Sequence, residues 1–259
     1  MGYIEVPGRP VSDDGDLYEQ VETSMAEHHR VMCDAIQRTM ERRYGRLMIF
    51  APPGASKSTC VSIVAPTWGM GKWPRKRYII AGHNSDIATT QSKKARSICK
   101  TTRYQTLFDT AIPADQRAAD EWALTNGSTM IAGGIMSGIA GHRVDGIFFD
   151  DPHPSREAAE SETQRKKVWE EWRDNLRNRV TPGGFVIGIL TRWHEQDWAG
   201  MILPAGWKGE SGMFRGTDGL DWEVLCLKAK IETEEDAATD PLRRRVGESI
   251  WPEWFTIEP

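Results

Sequence analysis

The sequence predicts an α/β domain with a central, mostly parallel β-sheet flanked by helices. Short runs that are apolar at almost every position, typical of strands covered on both faces, alternate with longer polar or amphipathic stretches typical of helices. The clearest apolar runs span residues 77–82, 146–149 and 185–190. Strands that alternate with helices in this way form parallel sheets, because each helix carries the chain back across one face.

Composition favours one large domain and excludes several functional classes. The chain has 259 residues, 39% of them hydrophobic, which is enough to bury a sizeable core. Its formal net charge of −4 argues against a uniformly basic nucleic-acid binder, although a local basic face is enough for such binding. The four cysteines are widely spaced without a C-x-x-C pair, which fits reduced thiols better than disulfides or a zinc site.

Three segments of different character divide the chain. Residues 1–15 are rich in proline and glycine and predict a flexible arm, residues 16–230 carry the patterns of the main domain, and residues 231–259 predict a linker that leads out of it. The N-terminus is acidic and polar, so it is no signal peptide. No apolar run approaches the roughly 20 residues that cross a bilayer, so no membrane partner is expected.

In the first half of the chain, apolar periodicity predicts helices between strands. Apolar residues spaced three to four apart over 17–40 predict an amphipathic helix, and a strand follows at 46–50. A second helix begins near residue 59 and leads to the strand at 77–82. The next helix, which ends near Lys100, is polar and basic, and we interpret its charge as a solvated face rather than a nucleic-acid contact.

The second half repeats this alternation. Strands are predicted at 128–134 and 146–149, and a long helix with an apolar stripe is predicted over 157–180. A buried strand at 185–190 follows it. A last strand is predicted at 222–227.

The loop after the first strand has the layout of a phosphate-binding loop. Residues 51–59 (Ala-Pro-Pro-Gly-Ala-Ser-Lys-Ser-Thr) are mostly small, which lets backbone N–H groups surround phosphate oxygens at the start of a helix. Lys57 is expected to reach the outer phosphates, and the Ser58 hydroxyl to bind Mg²⁺. The predicted nucleotide-binding residues are Pro53, Gly54, Ala55, Ser56, Lys57, Ser58 and Thr59.

This loop departs from the pattern G-x-x-x-x-G-K-[ST] at both glycines. Ala51 takes the place of the first glycine and Ser56 that of the second. The loop alone is therefore also compatible with an ordinary Gly/Pro turn before a helix that happens to start with lysine.

Two adjacent acids at the end of the strand at 146–149 supply what such a loop needs for hydrolysis. Asp150 is expected to bind Mg²⁺ together with Ser58. Asp151 is expected to orient or deprotonate the attacking water, although most enzymes of this class place the longer glutamate there. Taken alone, the two acids are equally compatible with a turn or a helix cap, and only together with the loop do they favour catalysis.

Positive charge and a phosphate sensor also have candidates. Arg143, shortly before the acid strand, could stabilise transition-state charge in its own subunit or in a neighbour, or be an ordinary surface arginine. Thr191 and Arg192 follow the strand at 185–190, where a side chain could sense the γ-phosphate. Ligands of parallel sheets bind beyond the carboxyl ends of the strands, which is where the loop, the acids and Thr191 are expected.

Three motifs in this order resemble the large terminase subunits of tailed bacteriophages, the motors that package DNA. They are residues 46–59, residues 141–152, and residues 190–197 (Leu-Thr-Arg-Trp-His-Glu-Gln-Asp). The last is similar to the family's Thr-Arg-Trp-His coupling motif. One branch of the family has a similar Pro-Pro-Gly-x-x-Lys-Ser-Thr loop, in which the residue before the lysine need not be glycine. The resemblance covers roughly residues 17–203.

The resemblance implies a P-loop NTPase fold of the RecA-like ASCE class, with ATP and Mg²⁺ as cofactors. By match to the motifs, Asp150 is the metal-binding acid, Asp151 the catalytic acid, and Thr191 the coupling residue, with Arg192 beside it. Arg143 lies where the family's trans-acting arginine is expected.

The resemblance also implies partners and a cellular setting. They are double-stranded DNA, a portal protein, a small terminase subunit and a ring of copies, commonly five, in the cytoplasm of the infected bacterial host. Large terminases carry a C-terminal nuclease domain, which is not expected here because fewer than 40 residues follow Trp222. No nuclease activity is therefore expected of this chain.

The leading hypothesis is an ATP-hydrolysing motor that moves double-stranded DNA into a procapsid. One alternative is another nucleic-acid-dependent P-loop ATPase, such as a helicase, which two motor domains in tandem or a helicase box would favour; the sequence contains neither. A second alternative is a nucleotide-binding scaffold with little hydrolysis, favoured by Asp151 in place of glutamate and Ser56 in place of glycine.

Overall fold

A computed structural model describes residues 7–10, 18–20, 25–116, 118–136, 139 and 141–252, with backbone alone for the first two ranges. The strands are β1 (Pro7–Pro10), β2 (Tyr18–Gln20), β3 (Arg46–Phe50), β4 (Arg77–Gly82), β5 (Glu121–Ala123), β6 (Thr129–Gly134), β7 (Val144–Asp150), β8 (Val180–Leu190), β9 (Gly212–Arg215) and β10 (Asp221–Cys226). The α-helices are α1 (Glu27–Glu41), α2 (Ala65–Lys72), α3 (Ser85–Lys100), α4 (Thr102–Phe108), α5 (Arg156–Glu160), α6 (Glu162–Glu170) and α7 (Glu234–Thr239). Two π-helical segments, Thr59–Val64 and Glu171–Leu176, adjoin α2 and α6, and a 3₁₀ turn spans Arg177–Arg179.

Eight strands form one sheet in the order β5-β6-β4-β7-β8-β3-β10-β9. The six central strands are parallel to one another, whereas β5 and β9 at the two edges run antiparallel to them. The fold class predicted from the sequence, an α/β domain with a mostly parallel sheet flanked by helices, is confirmed. β1 and β2 pair with each other in a separate two-stranded sheet, and the rest of the arm predicted at residues 1–15 lies outside the described residues.

Both faces of the sheet are covered, which explains why its strands are apolar at successive positions. On β3, Leu47 and Ile49 point into the core beneath α1, the Thr59–Val64 segment and α3, whereas Met48 and Phe50 point into the core on the other face. That second core contains a chain of aromatic rings, in which Trp198 contacts Phe149 and Trp172 with ring centroids 5.0 Å apart. No helix in the described part of the chain is long and apolar enough to cross a membrane.

Two predicted helices differ from the observed ones. The helix predicted from residue 17 begins at Glu27, because residues 18–20 form β2 instead. The helix predicted over 157–180 is divided at Ser161, whose extended backbone ends α5 and whose hydroxyl caps α6 by accepting a hydrogen bond from Gln164 N. It ends one residue earlier than predicted, because β8 starts at Val180 and pairs with β7 there.

The segment predicted as a linker, residues 231–259, packs onto the domain as far as the structure describes it. Ile231, Ile250 and Trp251 are buried, and Ile250 N donates a hydrogen bond to Ala229 O at 2.8 Å. Arg244 is also buried, where Asp240 neutralises its charge at 2.8 Å. These contacts correct the prediction of a segment that leads away, because the apolar side chains of Ile231, Ile250 and Trp251 are covered by the domain instead of facing water.

Candidate functional site

The predicted site residues follow three neighbouring strands. The order β7-β8-β3 places β8, which Thr191 follows, between the strand that ends in Asp150 and the strand that leads into the loop at 51–58. Because these strands are parallel, their carboxyl ends lie side by side. They form the edge of the sheet that runs across the strand ends, where ligands of α/β proteins bind. The structure thus brings together Lys57, Asp150, Asp151 and Thr191, as the sequence predicts.

The loop adopts a left-handed backbone at two positions. Gly54 has a φ of 82° and Ser56 a φ of 58°. Ser56 stands where the phosphate-loop pattern has its second glycine. Residues with a Cβ are strained in the left-handed conformation, which explains why the pattern prefers glycine at this position. The bond from Cys60 N to Ser56 O, at 3.0 Å, then begins the helix. Ser56 therefore keeps the conformation that glycine would adopt, at the cost of local strain.

Lys57 lies at the centre of the site and is buried. Its Nζ donates hydrogen bonds to Ala51 O at 2.6 Å and to Thr191 Oγ1 at 3.1 Å. Burial lowers the pKa of Lys57, whereas the charges of Asp151 and Asp150 counteract that shift. The ammonium group is thus held between the loop and the end of β8, where an anionic ligand would compensate its burial.

Asp150 accepts hydrogen bonds at both carboxylate oxygens. Ser58 Oγ donates to Oδ1 at 3.1 Å, and Ser62 Oγ donates to Oδ2 at 2.7 Å. Burial raises the pKa of Asp150 to about 6, the neighbouring Asp151 adds to that shift, and the two hydroxyl bonds oppose it. A nearby cation would stabilise the charged form of this buried carboxylate.

The oxygen donors of Ser58 and Asp150 fit Mg²⁺, a hard cation that takes one or two protein oxygens and completes its shell with water and phosphate. Among the described residues there is no group of three or more His, Cys, Asp or Glu side chains that could hold a metal by themselves. A cation held by Ser58 and Asp150 would complete its coordination shell with water and the phosphates of a nucleotide.

Asp151 and Thr191 are joined by two hydrogen bonds. Thr191 N donates to Asp151 Oδ1 at 2.7 Å, and Thr191 Oγ1 lies 3.4 Å from Oδ2. Asp151 has a φ of 36°, a strained backbone that the bond from its N–H to Ile189 O at 3.0 Å helps to hold. A continuous chain of hydrogen bonds thus runs from Lys57 through Thr191 to Asp151.

Arg192, the other predicted coupling residue, faces the segment that follows it. Its Nε lies 3.3 Å from Oδ2 of the buried Asp197, and its guanidinium lies 5.3 Å from the ring centroid of Trp207. Burial raises the pKa of Asp197, and the Arg192 charge opposes that shift. Arg192 therefore ties the end of β8 to the loop beyond it.

Arg143 does not lie with the other predicted site residues. It immediately precedes β7, whereas Asp150 ends that strand. At about 3.3 Å per residue, the two are separated by roughly 23 Å along the strand, which is much longer than an arginine side chain. Arg143 is exposed at the opposite edge of the sheet, so it cannot contact its own subunit's Lys57 loop in this conformation.

Ser62 is a residue of this site that the sequence prediction missed. A signal was present, because Ser58 and Ser62 are four residues apart, and that spacing places two side chains on one face of a helix. Its significance depends on the position of Asp150, which only the folded sheet provides.

Comparison with known proteins gives a family. The model described as "Terminase large subunit, T4likevirus-type, N-terminal" matches residues 48–251. The chain belongs to this family. No curated protein matches the sequence.

Solved structures of other large terminases resemble this one distantly. The ATPase domain of the Thermus phage P74-26 large terminase is 16% identical, with a TM-score of 0.49 over 77% of this chain and 80% of that one. A large terminase from a thermophilic bacteriophage is 13% identical, with a TM-score of 0.42. The alignment covers 65% of this chain and 39% of that protein, so this chain spans about two fifths of its length. The same phage protein in complex with ATP-gamma-S is 12% identical, with a TM-score of 0.37 over 65% of this chain and 38% of that one.

Proposed function

We propose that this chain is the ATP-hydrolysing motor domain of a viral DNA-packaging terminase, which couples hydrolysis to translocation of double-stranded DNA into a procapsid. The observation that carries the proposal is the meeting of Lys57, Asp150, Asp151 and Thr191 at one edge of the sheet. Membership of the terminase family supports it. The proposed setting is the cytoplasm of an infected bacterial host.

The loop and its lysine bind the nucleotide. Backbone N–H groups of residues 54–59 surround the phosphates at the start of the helix, and Lys57 exchanges its bonds to Ala51 O and Thr191 for phosphate oxygens. Ser58 and Asp150 hold Mg²⁺, which when bound neutralises charge on the phosphates.

Asp151, whose carboxylate follows the end of β7, orients the attacking water and accepts its proton. Thr191 contacts both Lys57 and Asp151, so it is the residue whose bonds change when the γ-phosphate arrives or leaves. We assign coupling to Thr191 and to Arg192, which passes the displacement to the segment containing Asp197.

Arg143 acts on a neighbouring subunit in this proposal. Its position at the opposite edge of the sheet from its own Lys57 supports a contact with the phosphates of the next copy in preference to a role in cis. Head-to-tail contacts of this kind form rings where the rotation between successive copies closes, and open filaments where it does not. The proposed assembly is a ring, five copies by family resemblance, that works with a portal protein and a small terminase subunit.

The first test is Mg²⁺-dependent ATP hydrolysis, measured beside nucleotide binding. Lys57→Ala should lose both. Lys76→Ala is the matched control, because Lys76 is paired with Asp145 at 2.8 Å on the opposite edge of the sheet and should behave as wild type. If Lys57→Ala hydrolyses ATP as fast as wild type, the site assignment is wrong. Binding without hydrolysis in the wild type would favour the scaffold alternative, and strand displacement would favour the helicase alternative.

The trans role of Arg143 is tested by mixing two inactive variants. Lys57→Ala destroys the nucleotide site but keeps Arg143, whereas Arg143→Ala keeps the site but lacks the arginine. A mixture should regain hydrolysis, because the first variant supplies its arginine to the second. A mixture that stays as inactive as its components would exclude a trans contact by Arg143.

A further inference from the structure

We infer that Ser62 is a positioning residue for the metal, whose hydroxyl holds Oδ2 of Asp150 so that Oδ1 faces Ser58 and the cation. The inference rests on the proposed function, since it gives a role in Mg²⁺ binding to a residue that contacts the metal-binding Asp150 and not the metal itself. It adds to that function a residue four positions beyond Ser58.

The geometry around Asp150 divides its two oxygens between two tasks. Oδ1 faces Ser58, the other predicted metal ligand, at 3.1 Å. Oδ2 accepts the shorter bond, 2.7 Å, from Ser62, which is fully buried. A carboxylate with one oxygen held in this way cannot rotate freely about its terminal torsion, which is otherwise broad and roughly two-fold. Ser62 therefore fixes the orientation of the Asp150 carboxylate plane, and with it the direction in which Oδ1 points toward the cation.

The bond to Asp150 is not the one that a buried hydroxyl in a helix ordinarily makes. Serine and threonine within helices usually donate to a backbone carbonyl one turn earlier. Thr67, one turn further along the same helical run, does so, with bonds to Val64 O at 2.8 Å and Ile63 O at 3.1 Å. Ser62 donates across to the sheet instead. Its segment, Thr59–Val64, is π-helical, a form that often occurs at functional sites.

Burial explains why this second bond is needed. Asp150 is 4% exposed, so a carboxylate oxygen without a donor would be left unsatisfied away from water. Partners of this kind, which orient a metal ligand without touching the metal, typically change metal affinity 10- to 100-fold when removed. We therefore expect the metal, rather than the fold, to be sensitive to the Ser62 hydroxyl.

The experiment measures the Mg²⁺ concentration needed for half-maximal binding of a fluorescent ATP analogue. Ser62→Ala should raise it at least 10-fold, and Ser62→Thr, which keeps the hydroxyl, should restore most of the affinity. Ser92→Ala is the matched control, because Ser92 is also fully buried and hydrogen-bonded, to Trp122 Nε1 at 2.8 Å, but remote from the site. In hydrolysis assays, saturating Mg²⁺ should recover the Ser62→Ala rate, which a general structural defect would not allow.

Two outcomes would overturn the inference. One is an unchanged Mg²⁺ requirement in Ser62→Ala, and the other is an equal change in Ser92→Ala. If Ser62→Ala does not fold, Ser62→Cys, which is close in size and a weaker donor, should still show an intermediate shift. Failure of the wild type to bind the analogue with Mg²⁺ would contradict the proposed function itself, whereas normal wild-type binding with no Ser62 effect would contradict the inference alone.

Discussion

Asp151→Asn should separate nucleotide binding from hydrolysis. An asparagine carbonyl of the same length can still accept the 2.7 Å bond from Thr191 N, so the substitution removes charge and basicity with little change of shape. A residue that accepts a proton in the transition state contributes roughly 10²- to 10⁴-fold to the rate. At about 1.4 kcal/mol per tenfold, the activation free energy should rise by about 3–5 kcal/mol.

Binding should change much less than the rate. Burial lowers the pKa of Lys57, and the Asp151 charge is the larger of the two carboxylate effects that oppose this shift, so loss of that charge lowers the pKa of Lys57 further and weakens nucleotide binding. The same loss removes a negative charge from beside the phosphates, which favours binding, so the net change should be modest. The assay is kcat at saturating ATP and Mg²⁺, with binding of a fluorescent analogue measured in parallel. Asp145→Asn is the control, because Asp145 lies on the same strand at the opposite edge, bound to Lys76.

The result that would refute this argument is a fall in kcat of less than tenfold with normal binding. Asp151 would then not be the residue that activates water, and its bonds to Thr191 would have to serve structure alone. An equally large loss in Asp145→Asn would also contradict it, because the effect would then follow from any change of charge along β7.

Three further predictions concern pH, the loop and the C-terminal segment. Burial raises the pKa of Asp150 to about 6, so Mg²⁺-dependent binding should fall as pH drops through about 6. The raised pKa means that the folded state binds the proton of Asp150 more tightly than the unfolded state does. The protonated carboxyl therefore contributes to the free energy of unfolding below about pH 4, and this contribution is lost above about pH 6. Asp150→Asn should therefore raise the free energy of unfolding by roughly 1–3 kcal/mol at pH 8 and not at pH 4, measured by urea unfolding. Ser56→Gly should leave the thermal midpoint of unfolding unchanged or raise it slightly. The left-handed strain that glycine relieves is about 1–2 kcal/mol, which outweighs the ~0.5–1 kcal/mol entropy cost of glycine. A clear fall in the thermal midpoint would contradict this. Trp251→Ala should cost about 3–5 kcal/mol of unfolding free energy, whereas a linker residue would cost less than about 0.5 kcal/mol.

The predicted fold agrees with the structure where local pattern and burial coincide. Runs such as 77–82 and 185–190 are apolar at almost every position because both faces of the sheet are covered, so their sequence alone indicates central strands. The helix predicted from residue 17 shows the limit of this logic. Its spacing is helical, but residues 18–20 pair with Pro7–Pro10, a long-range partner that periodicity does not reveal.

Local sequence patterns already indicate which chemistry is available to this protein. Small residues before Lys57, two acids at the end of an apolar strand, and Thr191 after the next one are local patterns, and each follows a strand of a parallel sheet. Their convergence could be predicted because parallel strands share an edge.

Which side chains contact one another depends on the folded arrangement of the strands. The strand order places β8 between β3 and β7, which lets Thr191 contact both Lys57 and Asp151. It places Arg143 at the far edge, gives Ser62 its bond to Asp150, and folds residues 231–251 back onto the core. The physical reason is that strand order and burial bring together residues far apart in the chain, and a local pattern such as the spacing of Ser58 and Ser62 does not show which distant residue each one meets.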